Sequence, residues 1–112
     1  MSEFPDNVLF LREAQEDLSG FDHSQQVQII KAIQKVSGNP RPKPEGYGNP
    51  LRNELAGLCK IKLKKAGIRI VYRYMKATSG MLVVVVAMRN DEQVYKLAER
   101  RIRKHPDIFL DV

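Results

Sequence analysis

Residues 59–74, Cys-Lys-Ile-Lys-Leu-Lys-Lys-Ala-Gly-Ile-Arg-Ile-Val-Tyr-Arg-Tyr, constrain the fold more tightly than any other stretch of the chain. Charged and apolar residues alternate through both halves, with Lys65-Ala66-Gly67 between them. Successive side chains of a strand point to opposite faces, so this period of two predicts a pair of strands. On the first, Lys60, Lys62 and Lys64 share one face and Ile61 and Leu63 the other. On the second, Arg69, Val71 and Arg73 share a face, opposite Ile68, Ile70, Tyr72 and Tyr74. A sheet with this many cations on one face either protects its solubility or holds a polyanion.

The surrounding pattern extends the pair into a sheet. Strands are predicted at 58–64, 68–75 and 81–88, joined by short turns at Gly67 and at Ser79-Gly80, which makes an antiparallel meander. Leu82-Val83-Val84-Val85-Val86 is apolar on both faces and belongs centrally in the sheet. Residues 7–11 read as a first strand, followed by a short helix at 12–19 with Leu11, Ala14 and Leu18 on one stripe and Gly20 as its stop.

Asp22 or Ser24 can cap a second helix, and Asp22 with Gln25 resembles a capping box. Val27, Ile29, Ile30, Ile33 and Val36 give that helix one apolar face, and Gly38-Asn39-Pro40 ends it. Prolines 40, 42, 44 and 50, with Gly46 and Gly48, then punctuate a long loop without regular structure. Asn90 caps a last helix whose inner stripe is Val94, Leu97, Ala98 and Ile102, and Pro106 stops it. The expected order is β-α-α-β-β-β-α in one domain spanning 1–112. Its class is α+β, a largely antiparallel sheet with helices packed on one face.

Composition narrows the function classes. With 112 residues, 43% hydrophobic and 29% charged, the chain can bury a core and is not a disordered tail. A net charge of +6 favours an anionic partner. The longest apolar run, 81–88, is too short to span a bilayer. The acidic start Met-Ser-Glu-Phe-Pro-Asp lacks a basic segment and an apolar segment, so a cytoplasmic protein is expected. A single cysteine, Cys59, and two scattered histidines, His23 and His105, make neither an internal disulfide nor a zinc cluster, and no metal or cofactor is expected. Cys59 itself reads as a small buried hydrophobe.

Lys60 and Lys62 taken alone read first as edge-strand protection. Arg69 can face the same surface across the turn, Arg89 closes the 81–88 strand, and Tyr95 flanks the apolar stripe of the last helix, where it either packs or reaches the sheet surface. Together they could support RNA cleavage without a metal. Attack of a ribose 2′-hydroxyl on its phosphate needs a base, cations for the charge on the phosphorane, and an acid for the leaving 5′ oxygen. Arginine matches phosphate geometry, and a lysine crowded by other cations can exchange protons near neutrality.

The sequence at this point resembles the RelE/ParE superfamily of bacterial toxins, most closely the RelE-type mRNA endonucleases. The resemblance is carried by Lys31-Ala-Ile-Gln-Lys35 ending in Gly38-Asn39-Pro40, by Pro50-Leu51-Arg52-Asn53-Glu54-Leu55, and most sharply by three pieces. These are Lys60-Ile61-Lys62-Leu63, Gly67-Ile68-Arg69-Ile70-Val71-Tyr72, and Arg89 with Glu92 and Val94-Tyr95. Cys59 stands where such toxins often carry an aromatic, and Met88 where a basic residue is frequent.

The resemblance implies a working site of Lys60, Lys62, Arg69, Arg89 and Tyr95. It implies ribosome-dependent cleavage of mRNA in the decoding A site and neutralisation by a cognate antitoxin. Lys62 or Tyr95 would take the 2′ proton, Arg69 and Lys60 would stabilise the phosphorane, and Arg89 would assist the leaving oxygen. Lys64, Lys65 and Arg73 are expected to attract RNA or the ribosome more generally. Two other readings use the same fold or charge: a ParE-like toxin that poisons DNA gyrase, and a noncatalytic basic module.

Overall fold

The computed structural model describes residues 4–88 and 90–109. Five strands form one sheet in the order β1-β5-β4-β3-β2, with β1 Val8–Phe10, β2 Asn49–Pro50, β3 Leu58–Leu63, β4 Ile68–Met75 and β5 Gly80–Met88. Helices α1 (Arg12–Ser19), α2 (His23–Ser37) and α3 (Asp91–Lys104) complete the α+β domain. β2 through β5 pair antiparallel, whereas β1 runs parallel to β5.

Local chemistry explains most boundaries. The Asp22 carboxylate accepts from the Gln25 amide at 2.8 Å and the Gln25 side chain accepts from the Asp22 amide, a complete capping box. Asn90 likewise accepts from the Gln93 amide at 3.2 Å to start α3. Gly67 closes the β3–β4 turn with φ +68°, a conformation that costs a residue with a Cβ. The proline-rich loop is not wholly irregular. Its last two residues form β2, an edge strand paired with Lys60 and Cys59, and its only proline sits where an edge strand tolerates one.

The helices do not share a face. α1 and α2 cover Ile68, Ile70 and Tyr72 of β4 with Ala14, Ile29, Ile33 and Val36. α3 covers the opposite face, where Val94 and Ala98 pack on Leu58, Val71, Val84 and Val85. The physical reason is that β4 and β5 are apolar on both faces, so a one-sided layer would leave Val71 and Val85 in water.

One irregularity joins the layers. The β4–β5 register slips between Val71 and Tyr72, which pair with Val85 and Val83 and leave Val84 as a bulge. β1 has already ended opposite Val83, so side chains take over its ladder. The Asp17 carboxylate of α1 accepts from the Val86 amide at 3.0 Å, and Arg101 of α3 donates to the Val84 carbonyl at 2.8 Å. Arg101 and Asp17 meet in a bidentate pair at 2.7 and 3.0 Å.

Candidate functional site

The site lies on the α3 face of the sheet. Lys60 and Lys62 project from β3 on that side, and Arg69 of β4 is the direct cross-strand partner of Lys62. The Lys60 ammonium donates to the Tyr95 hydroxyl at 2.9 Å, which joins two of the predicted residues across 35 positions of sequence. Lys62 is exposed beside them.

Arg69 sits differently from its expected role as a free phosphate ligand. Its side chain is only 9% exposed; Nε donates to Asp91 Oδ1 at 3.1 Å and one terminal nitrogen donates to the carbonyl of Ile68 at 3.2 Å. Asp91 opens α3 and stays nearly half exposed, so the carboxylate holding Arg69 is itself open to exchange with another anion. Arg89 lies outside the described residues.

Of the three cations expected to attract RNA in general, Lys64 and Lys65 are exposed in the β3–β4 turn. Arg73 is buried at 2% exposure, which removes it from the surface group. Alternation put Arg73 on the cation face correctly, but β3 and β5 flank that end of β4 and Leu58 and Leu82 pair with its two ends of the rung.

Two concavities meet at Lys60. One, of about 590 Å³, lies against α3 and is lined by Arg52, Asn53, Tyr95 and Lys96 together with Glu54, Glu92 and Glu99. The other, of about 370 Å³, lies against the 40–50 loop and is lined by Lys43, Tyr47, Asn49, Lys62 and Lys64. Arg52, Lys96, Asp91, Lys43 and Tyr47 were not singled out in the sequence. Arg52 lay within a motif already noticed, whereas Asp91 and Lys96 are ordinary helix residues until α3 is docked.

Cys59 and Tyr72 form a buried polar contact under β3. Burial pushes the Cys59 thiol up, against a smaller opposing effect of the Tyr72 hydrogen bond, and an un-ionised thiol is a poor nucleophile. Burial pushes the Tyr72 hydroxyl up as well, and it donates to the Pro40 carbonyl at 2.8 Å. Among the described residues no group of His, Cys, Asp and Glu is arranged to hold a metal ion, and no helix is long and apolar enough to cross a membrane.

No family model matches the chain. A RelE-like toxin protein of Escherichia coli is 31% identical over 97 residues, covering 86% of this chain and 96% of the relative. Among solved structures, a mutant E. coli RelE toxin in the free state superposes with a TM-score of 0.70 at 26% identity, covering 91% of this chain and 99% of that one. The RelBE2 toxin-antitoxin complex of Mycobacterium tuberculosis matches with a TM-score of 0.63 at 26% identity, over 76% of this chain and 99% of that one. Shared sequence over nearly the full length, on a shared sheet-and-helix framework, means that the chain belongs to the RelE-like toxin family.

Proposed function

We propose that this toxin is an endoribonuclease that cuts mRNA in the ribosomal decoding site by metal-independent attack of a 2′-hydroxyl, and that a cognate antitoxin neutralises it. The observation that carries the reading is the Lys60–Tyr95 hydrogen bond at 2.9 Å, beside Lys62 and above Arg69. It supports the reading because it brings a phenol and an ammonium together near a guanidinium, the kinds of group that phosphate chemistry needs.

In this scheme the 2′ oxygen bonds to phosphorus as the bond to the 5′ oxygen breaks, leaving a 2′,3′-cyclic phosphate and a 5′-hydroxyl. Lys62 or Tyr95 takes the 2′ proton. Lys60 and Arg69 offset the charge of the phosphorane, and Arg89 assists the departing 5′ oxygen by offsetting its charge while that oxygen takes its proton from solvent. Arg69 reaches the phosphate by exchanging Asp91 for it, one anion for another. The antitoxin follows from the relatives: the M. tuberculosis toxin was solved in complex with its antitoxin, and an E. coli RelE mutant with an antitoxin peptide. A basic toxin suits an acidic partner segment. The relatives are RelE toxins, so the gyrase-poisoning alternative is not favoured.

Inducing the protein and mapping the 5′ ends of cellular transcripts tests the cleavage reading. Breaks in phase with codons are expected. Tyr95→Phe, which keeps the ring and removes the hydroxyl, should slow cleavage about 100-fold if the phenol handles a proton. Intact transcripts during growth arrest would overturn the reading.

A further inference from the structure

The concavity on the loop side of Lys60 shares Lys60 and Lys62 with the cleavage scheme, but its far wall, Lys43, Tyr47 and Asn49, has no part in that scheme. Among the described residues Tyr47 is one of the few large hydrophobic side chains left open, at 50% exposure. Its backbone is not loose. The Tyr47 amide donates to the Asn39 carbonyl at 3.0 Å, and the Gly48 amide donates to the Arg41 carbonyl at 3.0 Å. Lys43 donates its amide to the Gly48 carbonyl at 2.7 Å, and the Asn39 side chain holds the Glu45 carbonyl at 2.8 Å. A Cβ at Gly48 would collide with the Tyr72 hydroxyl, so the loop is pressed against the sheet directly after Tyr47. The chain anchors the backbone that carries this ring and leaves the ring half open to solvent.

Cations surround that ring. Lys35 Nζ lies 5.7 Å from its centroid, while Lys43, Lys62 and Lys64 line the same hollow. No acidic side chain among the described residues lines it, in contrast to the concavity on the α3 side with its three glutamates. Lys60 lines both hollows, so they adjoin at its side chain.

We propose that Tyr47 is a stacking platform for a nucleobase of single-stranded RNA, with Lys43 and Lys64 holding the adjoining phosphates. A planar ring rules in a base rather than an acidic peptide, because every base has a π-face to stack on it while a carboxylate needs only the lysines. A tyrosine ring on an anchored backbone, with only two rotatable side-chain bonds, also loses little freedom on binding. The platform rests on the RNA-cleaving reading for its orientation: a strand whose phosphate lies at Lys60 continues over Tyr47.

The test is the affinity of the full chain for a fluorescently labelled single-stranded RNA oligonucleotide carrying 2′-O-methyl groups throughout, which cannot be cut by 2′ attack. Anisotropy should show Tyr47→Ala binding about 10-fold more weakly, as expected for losing one stacked base. Tyr47→Phe, which keeps the ring, should restore binding. Lys43→Ala with Lys64→Ala should lower the dependence of log affinity on log salt by about 1.4, from two lost phosphate contacts on a single strand. Lys76→Ala, in the turn between β4 and β5, serves as the control for loss of a cation elsewhere.

Wild-type affinity in Tyr47→Ala, or no binding by the wild-type chain, would overturn the platform. Codon-phased breaks with Tyr47-independent binding would keep the nuclease and remove the platform. Binding through Tyr47 with intact transcripts would keep the platform and remove the nuclease.

Discussion

Two arginines of this protein are almost equally hidden, yet their surroundings differ in kind. Arg101, with its side chain 11% exposed, makes a bidentate pair with Asp17 and also bonds the Val84 carbonyl, while Asp17 takes the Val86 amide. Arg69, 9% exposed, has a single bond to Asp91 and one to its neighbouring carbonyl. Asp17 is shielded, whereas Asp91 is open to water. Burial therefore does not separate a structural arginine from an available one. The saturation of its donors and the exposure of its partner do.

Arg101→Ala is expected to have the largest effect, a loss of about 3 kcal/mol of folding stability by chemical denaturation, because it strands Asp17 and the bulge carbonyl. The double change Asp17→Leu with Arg101→Met should recover little of this. Ordinary buried pairs can be replaced by apolar residues, but this one also satisfies two backbone groups of β5. Near-complete recovery would mean the pair is replaceable and the contrast with Arg69 is weaker than drawn.

Arg69→Lys comes next, with little change in stability and about 30-fold slower cleavage, since lysine lacks the fork and loses roughly 2 kcal/mol of charged hydrogen bonding. If its stability falls as far as that of Arg101→Ala, Arg69 is structural too. Asp91→Asn should act in the opposite direction. Freeing the guanidinium ought to tighten RNA binding by about threefold, the scale of a half-exposed ion pair, and tighter binding is read directly by anisotropy.

The smallest effect concerns the far end of α3. Glu13 is held at about 2, below its ordinary 4.5, first by the hydrogen bond from His105, then by its own backbone amide and by Lys104. Because the folded carboxyl ionises more readily than the unfolded one, its contribution is complete above about 4.5 and is lost as pH falls toward 2. Thermal melts between pH 7 and 3 should therefore fall less for Glu13→Gln than for the wild-type chain, and parallel slopes would deny the contact any role.

Much of the framework was legible because short-range chemistry determines it. The Asp22 box and the Asn90 cap need only neighbours three residues apart. The alternation of 59–74 placed Lys60, Lys62 and Arg69 on one face because pleating does so for any strand. The Val84 bulge was not legible, since Leu82 to Val86 is apolar on both faces and carries no phase to reveal a slipped residue. Nor was Arg73, whose face was right and whose burial depends on what packs beside it. Tyr47 had a faint signal, a lone aromatic among glycines and prolines, but its exposure follows from bonds to Asn39 and Arg41.

By itself the sequence determined the three helices, four of the five strands and their order, the face on which the cations gather and the family that the cation pattern resembles, but not the two-residue strand β2. Periodicity and capping are local, and they act wherever the strand or helix is finally docked. Only the tertiary structure decided that α3 covers the opposite face from α1 and α2, because an amphipathic stripe names an apolar surface without naming its partner. That one placement brings Tyr95 to Lys60, sets Asp91 on Arg69 and sends Arg101 to the bulge. Cationic side chains thus end in different surroundings, Lys60 against a phenol, Arg69 against a half-exposed carboxylate and Arg101 against a shielded one and a bulge carbonyl, according to what long-range packing puts beside each.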